Sequence, residues 1–143
     1  MRVVFIWLAL LLSHLHLRPA IAEEIIVNID AKLPKVVTLE ELREYFLLKK
    51  TYYPNGVRIQ VYLLKRDSVA TENFIINFLK MNPASYFDII DGAAASGKSN
   101  LPIILDSDTR MVITIAVNRG GLGIVRDAAY ASNLGNIQIL EVK

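Results

Sequence analysis

A chain of 143 residues with 16 Lys+Arg against 14 Asp+Glu, a formal net charge of +2 and no Cys has the size of one domain around one core. Disulfides, Cys nucleophiles and thiolate metal sites are excluded, and so near-neutral a balance gives no electrostatic case for nucleic acid or an anionic membrane surface. The first element in chain order is a leader. Arg2 supplies a short basic start, Val3 to Leu12 is an unbroken apolar run, and Ala20-Ile21-Ala22 has the A-x-A form of a cleavage site. A membrane anchor needs about 20 apolar residues, whereas Ser13, His14, His16, Arg18 and Pro19 interrupt this run too early. The expectation is therefore a signal peptide over residues 1–22, a mature domain over residues 23–143, and a periplasmic or secreted protein. Cleavage removes Trp7, His14 and His16, together with Arg2 and Arg18, which levels the charge. Without His or Cys, neither a Ser-His-Asp nor a Cys-His nucleophile system is possible, nor the usual zinc and copper ligand sets. No enzyme, metal or cofactor is expected.

Glu24 to Ile29 is rich in Ile and Val and reads as a first strand. After a polar link with Pro34, Thr38-Leu39-Glu40-Glu41 is a capping box, and Leu39, Leu42 and Phe46 recur at helical spacing, predicting a helix to about Leu48. Tyr52-Tyr53-Pro54-Asn55-Gly56 is a turn, since Pro54 sets its own φ and Asn55-Gly56 tolerate positive φ. It leads into an apolar strand, Val57 to Leu64. At Lys65-Arg66-Asp67-Ser68-Val69-Ala70-Thr71-Glu72-Asn73-Phe74 a strand ends and a helix begins, running to about Lys80. Ser68 is a suitable N-cap with Thr71 three residues on. The first-turn amides lack intrahelical partners at the positive end of the helix dipole, where anions bind. Arg66 adds a planar fork of donors for an oxyanion. The plainer alternative is that Ser68 only caps the helix and Arg66 pairs with a surface carboxylate.

Asn82-Pro83 opens a third helix, Ala84 to Ile90, and Leu101 to Leu105 is a short apolar run. Met111 to Val117 is dense in β-branched residues, as a strand would be, but Asp106, Ser107 and Asp108 before it and Asn118-Arg119-Gly120 after it are helix start and stop signals, which favour a helix. Gly121 to Val125 reads as a glycine-spaced approach to a strand, and Asn136 to Val142 as a closing strand with Ile137, Ile139 and Leu140 as its inward candidates. Strands alternating with helices predict an α/β domain.

Gly92-Ala93-Ala94-Ala95-Ser96-Gly97-Lys98-Ser99 matches the G-x-x-x-x-G-K-[ST] pattern of nucleotide-binding P-loops. A P-loop needs a helix starting at its Lys so that amides converge on phosphate. Pro102 follows Lys98 too soon for such a helix, so the segment is expected to be a flexible Gly/Ser loop that binds no nucleotide.

Thr38 to Leu42, Tyr45 to Thr51, Pro54-Asn55-Gly56, Arg66 to Phe74 and Gly120 to Val125 follow one another in the order and spacing of one family. Over nearly the whole mature chain, the sequence resembles the substrate-binding proteins of phosphate ABC transporters, especially short stand-alone relatives. The resemblance implies a periplasmic-binding-protein fold: a single α/β lobe, with a mixed sheet flanked by helices. It implies a phosphate site at Arg66, Asp67, Ser68 and Thr71, with Asp67 accepting a proton-bearing phosphate oxygen. Where the family carries Gly after the first helix this chain has Leu48, and Val69-Ala70 stand in place of a hydroxyl and a glycine. The function implied is exported phosphate or oxyanion binding, the second lobe being replaced by a homodimer partner or by an exported or membrane protein. The alternative is an envelope structural or adaptor protein that keeps the fold without the ligand.

Overall fold

The computed structural model describes residues 23–143; the expected leader lies outside the described residues. β1 (Glu24–Asn28) passes into a 3-10 turn, Ile29–Ala31, capped by the Asn28 side chain accepting from the Asp30 amide at 2.9 Å. β2 (Val36–Val37) is too short to leave a periodic signal in the sequence and exists by parallel pairing with the last strand. Thr38 caps α1 (Leu39–Phe46) by accepting from the Glu41 amide at 3.1 Å. The capping box is only half made, because the Glu41 carboxylate accepts from the Tyr45 hydroxyl at 2.7 Å, one turn on. α1 ends two residues before Leu48, which stands at φ 60°.

β3 (Gln60–Leu64) starts later than the apolar run predicts. The turn consumes the difference: the Tyr53 amide donates to the Val57 carbonyl at 2.9 Å and Ile59 to Thr51 at 2.8 Å. α2 (Val69–Asn77) stops short of Lys80. α3 (Pro83–Ala95), with Asn82 as its cap and Pro83 in its first turn, runs through half of the segment expected to be a flexible loop. β4 (Ile103–Leu105) is followed by α4 (Asp108–Val117), so the β-branched segment is helical, with the Ser107 hydroxyl accepting from the Arg110 amide at 3.2 Å. β5 (Gly121–Val125) and β6 (Ile137–Val142) complete the chain.

The six strands form one mixed sheet in the order β2-β6-β1-β5-β3-β4. β3 runs parallel to both β4 and β5, while β1 is antiparallel to β5 and β6. Helices cover both faces. Leu42, Tyr45 and Phe46 of α1, Phe74 and Ile75 of α2, and Tyr86 and Ile90 of α3 share one core with Ile25, Val27, Val61 and Leu63. Met111, Val112 and Ile115 of α4 pack on the opposite face with Ile26, Tyr62 and Val125. Strand alternation explains β6: Ile137 and Ile139 lean on the α4 side and Leu140 on the other, so all three are covered. Gly123 permits the close approach of α4, since a Cβ there would lie 2.6 Å from Met111 Sδ and 2.8 Å from Ile115 Cδ1.

Candidate functional site

The chain leaving β3 turns to one face of the sheet as α2, and the chain leaving β4 turns to the other as α4. Between two such crossovers neither connection fills the space beyond the carboxyl ends of the strands, which is where open α/β sheets hold ligands. A cavity of about 640 Å³ occupies this place. Its wall is made by Leu64 and Lys65 at the end of β3, by Ser68 and the first turn of α2, by Asp106 and Asp108 around the start of α4, and by Arg126 and Asp127 after β5. Glu23, just ahead of antiparallel β1, closes the same end.

At α2 the Ser68 hydroxyl accepts from the Thr71 amide at 3.2 Å, as an N-cap should. It also lies 2.7 Å from the Lys65 carbonyl and 3.0 Å from Thr71 Oγ1, between which its single proton is divided. Thr71 is fully buried and donates its own proton to the Leu64 carbonyl at 3.0 Å. The amides of Val69 and Ala70, both in the cavity wall, precede the first position that can bond within the helix.

Of the four residues that the resemblance implies, Ser68 lies in the cavity wall and Thr71 sits behind it. Arg66 and Asp67 are exposed and are not part of the wall. Arg66 makes a two-pronged pair with Asp91 of α3, at 3.0 and 2.5 Å, and its guanidinium stands 4.6 Å over the Phe87 ring. The hydrogen bond from Arg66 holds the Asp91 carboxyl below its usual range, and Asp91 in turn raises Arg66. Both partners are about half exposed, so solvent screens the pair.

Sequence reasoning missed Lys65 as a wall residue and the whole cluster across the cavity. Arg126 Nε donates to Asp108 Oδ2 at 3.3 Å, while Asp108 Oδ1 is buried with no hydrogen-bond partner among the described residues. The wall carries two cations, Lys65 and Arg126, against the carboxylates of Glu23, Asp106, Asp108 and Asp127. Each of these residues borders a strand end or begins a helix. Only the strand order reveals that they share one end of the sheet.

The P-loop-like segment lies at the opposite pole of a helix from the one such loops use. Gly97, at φ 81°, closes the end of α3, with its amide donating to the Ala94 carbonyl and the Lys98 amide to Ala93. The Lys98 ammonium donates to the Leu48 carbonyl at 3.1 Å and ties this end to α1. Carbonyls, not amides, converge there, which is the wrong polarity for phosphate.

No family model and no curated protein matches the chain. Among solved structures it is similar to PstS from Borrelia burgdorferi (TM-score 0.63, 13% identity, 85% of this chain and 47% of that one). It is also similar to a putative phosphate ABC transporter substrate-binding protein with bound phosphate from Clostridium perfringens (0.57, 15%, 86% and 46%). A possible phosphate binding protein from Planctomyces limnophilus follows (0.52, 17%, 87% and 43%). At these identities the likeness is one of fold, and the fold is periplasmic-binding-protein-like. The chain spans less than half the length of each of these proteins.

Proposed function

We propose that this chain is an exported, non-enzymatic oxyanion-binding protein, with phosphate as its first candidate ligand, that presents half of a binding site. The observation that carries this reading is the cavity at the carboxyl ends of β3 and β4, bordered by Ser68, Val69 and Ala70 at the start of α2. Similarity of fold to proteins described as phosphate-binding supports it. In this reading the Val69 and Ala70 amides hold the anion, joined by the Ser68 hydroxyl when it turns its proton from the Lys65 carbonyl, and Lys65 and Arg126 supply charge. Arg66 and Asp67 act from the loop at the rim, Arg66 by leaving Asp91, and Thr71 positions Ser68 from behind. Residues 1–22 serve as the export signal, removed after Ala22.

The excess of carboxylates over cations and the open outer side both weaken binding by one lobe alone. Water stays on the donors, the Coulomb attraction is screened, and association costs several kcal/mol of lost freedom. A Kd on the order of 1 mM follows for the monomer. Tight binding needs a second surface, from another copy of the chain or from an exported or membrane-bound partner.

A second reading, a structural or adaptor protein without ligand, draws on the pairing of Arg66 with Asp91 and on the same acidic wall. Calorimetric titration with phosphate at several protein concentrations, with Ser68→Ala and Arg66→Ala alongside, tests the two. Saturable millimolar binding weakened by Ser68→Ala supports the half-site. Absence of binding at every concentration leaves the adaptor, and micromolar affinity in a proven monomer refutes the half-site argument.

A further inference from the structure

Glu23 is the residue that leader removal would expose, and it is fixed inside the site. It is 5% exposed and lines the cavity. Antiparallel pairing of Glu24 with Val125 puts the preceding residue, Glu23, level with Arg126 on the neighbouring strand end. From α2, Asn73 Nδ2 donates to Glu23 Oε1 at 3.3 Å, and the Ala128 amide donates to Glu24 Oε2 at 2.7 Å. α2 thus holds the Glu23 side chain, while strand pairing and the segment after β5 hold its neighbour Glu24.

Resting on the oxyanion reading above, we infer that cleavage between Ala22 and Glu23 completes the site, because the new α-ammonium of Glu23 becomes an anion-binding group in the cavity wall. Before cleavage that nitrogen is a neutral amide with one donor. Afterwards it carries a positive charge and three donors, with an ordinary pKa of about 7.7–8.0. The charged groups of the same wall are Lys65 after β3, Asp106 after β4, Asp108 of α4, Arg126 and Asp127 after β5, and the side chain of Glu23 itself. One added cation on a wall with two cations and four carboxylates is a large relative change. The surrounding carboxylates favour its protonated form. Precursor and processed protein therefore differ in affinity, the processed form binding the anion more tightly.

The test compares inorganic phosphate binding by three preparations: the processed protein with its N-terminus verified by intact mass, the same protein after selective α-amine acetylation, and the full chain with cleavage blocked by Ala22→Asp. Acetylation removes the charge and two of the three donors and adds only an acetyl group, so it separates that effect from the bulk of a retained leader. Because phosphate itself titrates, the quantity read is the affinity ratio between forms at each pH. Below pH ~7 the processed form should bind about two- to fivefold more tightly than the acetylated form, the range for one partly solvated charge pair. The ratio should fall toward one as pH rises through and above the pKa of the amine. The Glu23 α-amine, followed by NMR, should titrate at higher pH with phosphate present than without. Equal affinities of processed and acetylated protein across the pH range overturn the inference while leaving phosphate binding standing. A processed N-terminus away from Glu23 overturns it as well. No saturable binding by any form overturns the oxyanion reading together with it.

Discussion

Replacing Thr71 by Val keeps the shape of a fully buried side chain and deletes only its hydroxyl. That hydroxyl donates to the Leu64 carbonyl at 3.0 Å and lies 3.0 Å from Ser68 Oγ, so it ties the end of β3 to the first turn of α2. Loss of the donor strips a buried bond, at a cost of about 1–3 kcal/mol. For a domain of this size each kcal/mol lowers Tm by about 3–6 °C, giving a drop of about 3–18 °C. Urea unfolding should show a lower midpoint at unchanged slope, the signature of lost stability without a change in the unfolded ensemble. Phosphate affinity should fall less than about threefold, since the Thr71 side chain stands behind the wall and acts through Ser68. The reasoning fails if Thr71→Val melts within about 1 °C of wild type yet abolishes phosphate binding, because the hydroxyl would then be facing ligand and not the strand end.

Leu48, buried at φ 60°, combines strain of about 1–2 kcal/mol with burial worth about 1.5–3 kcal/mol. Leu48→Gly loses the burial but relieves the strain, whereas Leu48→Ala loses most of the burial and keeps it, so equilibrium unfolding should rank Gly at or above Ala. Gly123→Ala drives a methyl into Met111 and Ile115 and should destabilise by about 1–3 kcal/mol, read as a shift of urea midpoint. Arg66→Ala should raise the Asp91 pKa back toward its usual value, measured by NMR titration. Because Arg66 depresses that pKa in the folded state, the pair's contribution is present above the ordinary carboxylate range and is lost as pH falls through the lowered value. Wild type and variant should therefore converge in stability at low pH.

The local signals were legible because each is decided within a few residues. Thr38, Ser68, Asn82 and Ser107 cap their helices since a short side-chain acceptor meets orphan amides two or three positions on. The turn at Pro54-Asn55-Gly56 follows from φ preferences alone, and the flanking caps identified the 111–117 segment as helical against its β-branched composition. The α/β class followed from the alternation of strands and helices, and the periplasmic-binding-protein-like fold from the resemblance. What failed was whatever a distant partner decides. β2 exists through β6, Val57 to Ile59 leave β3 because turn carbonyls and amides claim them, and α3 extends past its expected end until Gly97 closes it. The same holds for the site. A cap and its hydroxyl are local, so Ser68 could be found, but Arg66 takes its direction from Asp91 on α3, and Arg126, Asp108 and Glu23 meet Ser68 only because the strand order brings their ends together. Local chemistry acts over one turn of chain, whereas a cavity at the edge of a sheet is set by which strands are neighbours, a choice made by long-range packing of both faces.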